Sequence, residues 1–186
     1  MSAPTARNSA LITGATSGIG RATALRLAAD GFEVLVHGRD AKRGAEVVTE
    51  IERAGGQARF VPGDLADPDD VAQLAKEAEN VDVLINNGGF SWFGPTADLD
   101  VATFDALFAS NVRAAYLLVA AIAPRMAARG AGSIVNLSSM VGTVGLAGSA
   151  AYGATKASLV ARAAPRPTSG RLRHEPHLPE LAQGAD

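Results

Sequence analysis

The chain has 186 residues, 47% of them hydrophobic, with a net charge of −2 and no cysteine. That is room for one domain with a sizeable core, and the charge balance gives no electrostatic reason to expect nucleic acid or an anionic membrane as partner. Disulfides, thiolate catalysis and Cys-based zinc sites are excluded, and the opening "MSAPTARNSA" has no apolar stretch of signal-peptide length. No uninterrupted apolar run reaches the ~18 residues of a membrane span, so a cytoplasmic protein is the expectation.

Short β-rich runs alternate with longer helical ones. "ALIT" (10–13) precedes a Gly-rich turn and the helical "IGRATALRLAAD", which stops at Gly31. "EVLVHG" (33–38) leads to the amphipathic "DAKRGAEVVTEIERAGG", where Gly55 and Gly56 signal the stop. "QARFVPGD" is followed by "DPDDVAQLAKEAEN", with Asp67 as N-cap and Pro68 at the first helical position. "VDVLINN" (81–87) is a nearly continuous apolar strand, and a long helical region runs from about Val101 to Arg129. "GSIVNLSS" (132–139) is the fifth strand, and a helix carrying Tyr152 and Lys156 follows. Five strands alternating with helices predict an α/β fold, a doubly wound parallel sheet of the Rossmann-like kind.

"LITGATSGIGRATA" places Gly14, Gly18 and Gly20 between the first strand and its helix. The backbone turns sharply at Gly14, approaches a ligand at Gly18 and packs closely at Gly20. The N–H groups and positive dipole end of the helix then face a pyrophosphate. The spacing is GxxxGxG rather than GxGxxG, and a Gly-rich turn taken alone is as compatible with an ordinary strand–helix loop.

Taken together, "TGATSGIG", "NNGG" (86–89), Asn111, Ser139 and "YGATK" (152–156) resemble the short-chain dehydrogenase/reductase family, with every motif in order from residue 8 to about 160. The resemblance implies an oxidoreductase that moves a hydride between NADP(H) and an alcohol or carbonyl substrate. It implies Asn111, Ser139, Tyr152 and Lys156 as the catalytic group. It also implies cofactor contacts from Gly14, Ser17, Gly18, Ile19 and Gly20, from Arg39, Asp64 and Leu65, and from Asn87 and Gly88, with Tyr152 and Lys156 reaching the nicotinamide side. Asp64 is expected beside the adenine. A homo-oligomer is implied as well, though a shortened last helix argues against it. No metal is expected: His37, His174 and His177 show no ligand pattern, and His37 is placed near the adenosine pocket rather than in catalysis.

Residue chemistry agrees with those roles. Tyr152 and Lys156 are four apart and project from one helix face; an ammonium beside a phenol favours the phenolate, which suits a general acid/base. Ser139 ends a strand at the carboxyl edge of the sheet, where doubly wound folds place ligands, and its hydroxyl can steady a developing oxyanion. Asn111 falls on the stripe formed by Phe104, Leu107, Phe108, Ala115, Leu118 and Ile122, so its amide faces inward and needs partners. By resemblance it perturbs the helix locally and supports a water leading protons to the lysine. Phe90, Trp92 and Phe93 follow the fourth strand, with pocket lining and core packing equally open to them.

Cofactor choice is read at the end of strand two. Gly38 stands where NAD-specific members of the family carry Asp, and Arg39 can pair with a 2′-phosphate, so NADP is expected over NAD, with the adjacent Asp40 as the competing influence. Residues 1–163 are read as the NADP-binding and catalytic domain and 164–186 as an irregular or disordered Pro/Arg-rich tail. Pro165 and Pro167 should end the Tyr152 helix near Ala163 or Ala164. The family's sixth and seventh strands have no visible counterpart, which leaves the fifth strand as a sheet edge. The alternative is therefore a truncated or frame-shifted member that binds nucleotide with little or no catalysis.

Overall fold

The computed structural model describes residues 8–161 and 173–177. Six parallel strands form one sheet in the order β3-β2-β1-β4-β5-β6: β1 Ser9–Ile12, β2 Glu33–Gly38, β3 Gln57–Pro62, β4 Val83–Asn86, β5 Ser133–Leu137 and β6 Arg173–His177. The helices are α1 Gly18–Ala29, α2 Ala41–Arg53, α3 Pro68–Glu77, α4 Val101–Phe108, α5 Ala114–Ala128 and α6 Ala150–Ala161. The fold is doubly wound and Rossmann-like, as the alternation predicts.

Alternation of side chains along the strands divides the core into two layers. Leu11, Leu35, Leu84 and Ile134 face α3 and α5, where Leu74, Leu118, Ile122 and Met126 are fully buried. Ala10, Ile12, Val34, Val36 and Ile85 face the other way, onto Ala24, Ala28, Val47 and Ile51 of α1 and α2. Both faces are covered, which is why the strands read as unbroken apolar runs rather than alternating ones. Chain order reverses between β1 and β4, so the loops after these two strands open a crevice at the carboxyl edge of the sheet.

Three helices are started by aspartates. Asp40 accepts the Arg43 N–H at 3.0 Å, Asp67 accepts those of Asp69 and Asp70 at 2.8 and 3.3 Å, and Asp100 accepts that of Thr103 at 2.8 Å. Each satisfies donors that the first helical turn cannot pair internally. α1 differs: its N-cap, Ser17, makes no side-chain capping bond.

Two expectations are corrected. The predicted edge at β5 is covered: β6 pairs with it in parallel register, Ser133 opposite Arg173 through Leu137 opposite His177. Part of the expected irregular tail is thus a strand. Its "RHEPH" has no apolar rhythm, so what it satisfies is the row of unpaired backbone groups along β5. Pro176 lacks an N–H and is tolerated because β6 is the outermost strand. Among the described residues there is no seventh strand, and the expected end of α6 and the boundary at residue 163 lie outside them. Second, Phe104 is not on the inward stripe; it is 41% exposed and packs its ring on Phe108, centroids 4.6 Å apart. No described element covers that side of α4.

The long helical region is also not one helix. Residues Ala109–Arg113 form a π-turn between α4 and α5. Taken as a single run, Val101–Ala128 is long and apolar enough to cross a membrane, a property that a search for uninterrupted apolar stretches passes over. Here its inward stripe of Leu107, Ala115, Leu118, Ile122 and Met126 is packed into the core.

Candidate active site

A cleft of about 380 Å³ lies over the carboxyl edge of the sheet, between the loops after β1, β2, β3 and β4. That volume falls in the range of small-ligand sites. Gly14, Ser17, Ile19 and Gly20 form one wall; Arg39, Asp64 and Leu65 form another; Asn87 and Gly88 close the third. Gly14 and Gly18 have φ of +65° and +53°, in the left-handed region that residues with a Cβ rarely adopt. A Cβ on Gly18 would meet nothing within 4 Å, and Gly18, unlike its neighbours Ser17 and Ile19, does not line the cleft. A Cβ on Gly20 would run into the Gly14 carbonyl oxygen, so this glycine packs against the turn itself.

The turn is held on both sides of Gly14. The Gly14 N–H donates to Nδ1 of His37 at 3.3 Å, and the Gly14 carbonyl accepts from Nδ2 of Asn87 at 3.2 Å. Asn87 Nδ2 also donates to the Thr13 carbonyl at 2.9 Å. The Thr13 hydroxyl accepts the N–H groups of Asn87 and Gly88 at 3.0 and 2.9 Å, tying the end of β1 to the loop after β4. Thr13 opens the "TGATSGIG" motif and His37 lies at the expected adenosine side, but spacing alone does not show the bonds each makes to the turn.

The charged end of the cleft is cationic on two elements. Arg39 is exposed, with Nη1 3.8 Å from the Asp64 carboxylate. Arg43, one turn into α2, also lines the cleft and was not singled out in the sequence. Asp40 is turned to α2: Oδ1 accepts the Arg43 N–H and Oδ2 its Nε at 2.9 Å. Those bonds hold the Asp40 carboxyl below the usual carboxylate range. At Gly38 a Cβ would come within 2.5 Å of Thr16 Cγ2 and 3.0 Å of its Oγ1, so a side chain there would require Thr16 to move.

His37 is almost fully buried, and burial lowers its pKa from 6.5 to about 4, against opposing pulls from a hydrogen bond to the Gly63 backbone and from Asp64 and Asp70. Its folded pKa is depressed, so the stability it allows is complete above pH 6.5 and is lost as pH falls toward 4. Urea unfolding should show His37 removing about 2 kcal/mol between pH 7 and pH 5. His37→Asn should flatten that part of the slope; an unchanged slope would refute the assignment.

Beyond the cleft lie the four residues of the predicted catalytic group. Asn111 is buried in the π-turn, its Oδ1 accepting the Phe90 N–H at 3.0 Å. Its Nδ2 donates to the Phe90 carbonyl at 2.9 Å and to Thr155 Oγ1 at 3.1 Å. The amide therefore joins the loop after β4 to α6, one residue before Lys156. Lys156 is buried, which lowers its pKa; its Nζ donates to the Leu137 carbonyl at 3.0 Å and stands 5.8 Å from the centre of the Tyr152 ring. Ser138 is structural, its hydroxyl donating to the Lys156 carbonyl at 2.9 Å. Ser139 begins a 3₁₀ turn, Met140–Gly142, that packs on α6; a Cβ at Gly142 would lie 2.8 Å from the Lys156 carbonyl carbon. Ser139 is thus carried to the helix that bears Tyr152 and Lys156. Phe93 lies beside Tyr152, ring centroids 5.6 Å apart, and with Phe90 it is exposed at the mouth rather than packed in the core.

The short chain dehydrogenase family model matches residues 8–164. The chain belongs to the short-chain dehydrogenase family. It is 37% identical over 157 residues to the 3-oxoacyl-(acyl-carrier-protein) reductase FabG of Staphylococcus aureus (strain Mu50), covering 82% of this chain and 64% of that protein. A solved short chain dehydrogenase/reductase family protein is 49% identical with a TM-score of 0.80, over 84% of this chain and 65% of the other. A metagenomic short-chain oxidoreductase solved in complex with NADP is 40% identical with a TM-score of 0.81, over 84% and 73%. The chain therefore spans a little under two thirds of the length of the curated relative.

Proposed function

We propose that the protein is an NADP-dependent oxidoreductase that interconverts an alcohol and a carbonyl on a small-molecule substrate. The observation that carries the reading is the placing of Tyr152 and the buried Lys156 amine on one face of α6, next to the cleft that the glycine turn after β1 lines. The glycines fit the cofactor: the turn is left-handed, open at Gly18, and followed by a helix start with no capping side chain to compete for its N–H groups. When bound, NADP(H) supplies or accepts the hydride. Tyr152 gives a proton to the carbonyl oxygen in reduction and takes one from the alcohol in oxidation. Lys156 holds its amine 5.8 Å from the centre of the Tyr152 ring, and the Ser139 hydroxyl donates to the substrate oxygen. Asn111 fixes the distance between the cleft and α6.

NADP is preferred because the features favouring NAD are missing. Gly38 offers no acid to a ribose hydroxyl, Asp40 is committed to α2, and Arg39 and Arg43 offer positive charge to a 2′-phosphate. Fluorescence titration should give tighter binding for NADP than for NAD. Arg39→Ala should weaken NADP about tenfold and leave NAD unchanged. Tighter NAD binding by the unaltered chain would reverse the assignment. The functional reading as a whole is tested by following NADPH oxidation at 340 nm with a panel of ketones and 3-oxoacyl thioesters.

A further inference from the structure

We propose that His37 is a positioning residue: its neutral ring clasps the glycine turn to the β3–α3 loop and so sets the affinity for the cofactor. This rests on the NADP-binding function proposed above. Three observations converge on the ring. Nδ1 accepts the Gly14 N–H at 3.3 Å, and the His37 carbonyl accepts the next N–H, that of Ala15, at 2.8 Å. On its far side the ring lies against Gly63, where a Cβ would stand 3.4 Å from Nε2. The Gly63 N–H in turn donates to the Gly38 carbonyl at 3.2 Å, so the loop is fastened to the end of β2 on either side of the same residue pair.

The chemistry explains why a histidine suits this place. The position needs an acceptor toward Gly14 and a group of imidazole size reaching Gly63. Nδ1 can accept only if it carries no proton, and burial keeps the ring in that form. Gly14 and Gly63 both line the cleft, one toward the pyrophosphate and one toward the adenosine. Without the clasp, the turn and the loop move independently, and a ligand spanning both must order them on binding. Asn87 holds the Gly14 carbonyl but touches nothing on the adenosine side among its hydrogen bonds.

The test compares His37→Leu, which fills the site without an acceptor, with His37→Asn, whose amide oxygen can replace Nδ1. Hydrogen exchange of the Gly14 amide reads the clasp without any cofactor. It should be slow in the unaltered chain and in His37→Asn, and about tenfold faster or more in His37→Leu. The Kd for NADPH should rise about tenfold in His37→Leu and stay within about threefold in His37→Asn. Adenosine 2′-monophosphate, which does not reach the glycine turn, should lose less than NADPH does. The proposal is overturned if Gly14 exchanges equally in all three chains, if His37→Leu binds NADPH normally, or if His37→Asn is no better than His37→Leu. Should the leucine chain not fold, the asparagine chain decides: a tenfold loss of NADPH affinity there overturns the clasp, and near-normal affinity with a protected Gly14 upholds it. An unaltered chain that protects Gly14 but binds no NADPH refutes the proposed function; one that leaves Gly14 unprotected refutes the clasp.

Discussion

Replacing Tyr152 with Phe should lower carbonyl reduction by about 10²–10⁴-fold while leaving the Kd for NADPH within about threefold. The phenol ring lies beside Phe93 at 5.6 Å between centroids, and phenylalanine keeps that packing. Only the hydroxyl is lost, and with it the group on this face of α6 proposed to give and take the substrate's proton. Lys156 keeps its bond to the Leu137 carbonyl, so the end of β5 should not move. Stopped-flow or steady-state oxidation of NADPH reports turnover, and fluorescence titration reports binding. A variant that retains most of the activity would remove Tyr152 from the mechanism. A variant that loses both activity and binding would point to a structural role instead.

Gly20→Ala should act on the other step. Its Cβ would collide with the Gly14 carbonyl oxygen, which is backbone and cannot swing aside, and would stand 2.5 Å from Nδ2 of Asn87. The turn must open, breaking the Asn87 bonds that shape it. Overpacking of this kind costs about 1–3 kcal/mol, and NADPH binding should weaken by about 100-fold because the displaced backbone is the binding surface. Gly145→Ala is the control: a Cβ there meets nothing within 4 Å, so its stability should stay within about 0.5 kcal/mol of the unaltered chain. Thermal unfolding and titration of both variants separate the two effects. A Gly20→Ala chain that binds NADPH normally would show that the turn tolerates a side chain and that its tightness is incidental.

Much of this was legible in the sequence, for identifiable reasons. The four inner strands announce themselves because both faces of a covered parallel sheet must be apolar. The glycine turn is visible because left-handed backbone and close approach leave few other residues possible. The Asp67 cap shows because a short acceptor followed by Pro68 has few other uses. What stayed hidden depends on partners distant in sequence. Thr13, His37 and Asn87 are visible in or beside the motifs, but the bonds they make around the Thr13–Gly14 peptide exist only once folding brings positions 13, 37 and 87 together. Gly142 reads as loop punctuation, yet it permits the turn after Ser139 to reach Lys156. β6 escapes any search for apolar rhythm because its place is set by the backbone of β5. Phe104 was misjudged because helical spacing gives a direction and cannot say whether another element lies there.

The π-turn at Ala109–Arg113 has a consequence for chain length. A wide turn of this kind accommodates one residue more than an α-helix needs to pass from α4 to α5. Shortened by one, the segment would close into regular α-helix, with the inward faces of Leu107 before it and Leu118, Ile122 and Met126 after it kept in phase. Only Asn111 would lose its station, and with it the bridge from Phe90 to Thr155. The link between the cleft and the tyrosine helix depends on that extra residue. Insertions and deletions here would therefore be felt first in the rate of reaction and only afterwards in the melting temperature.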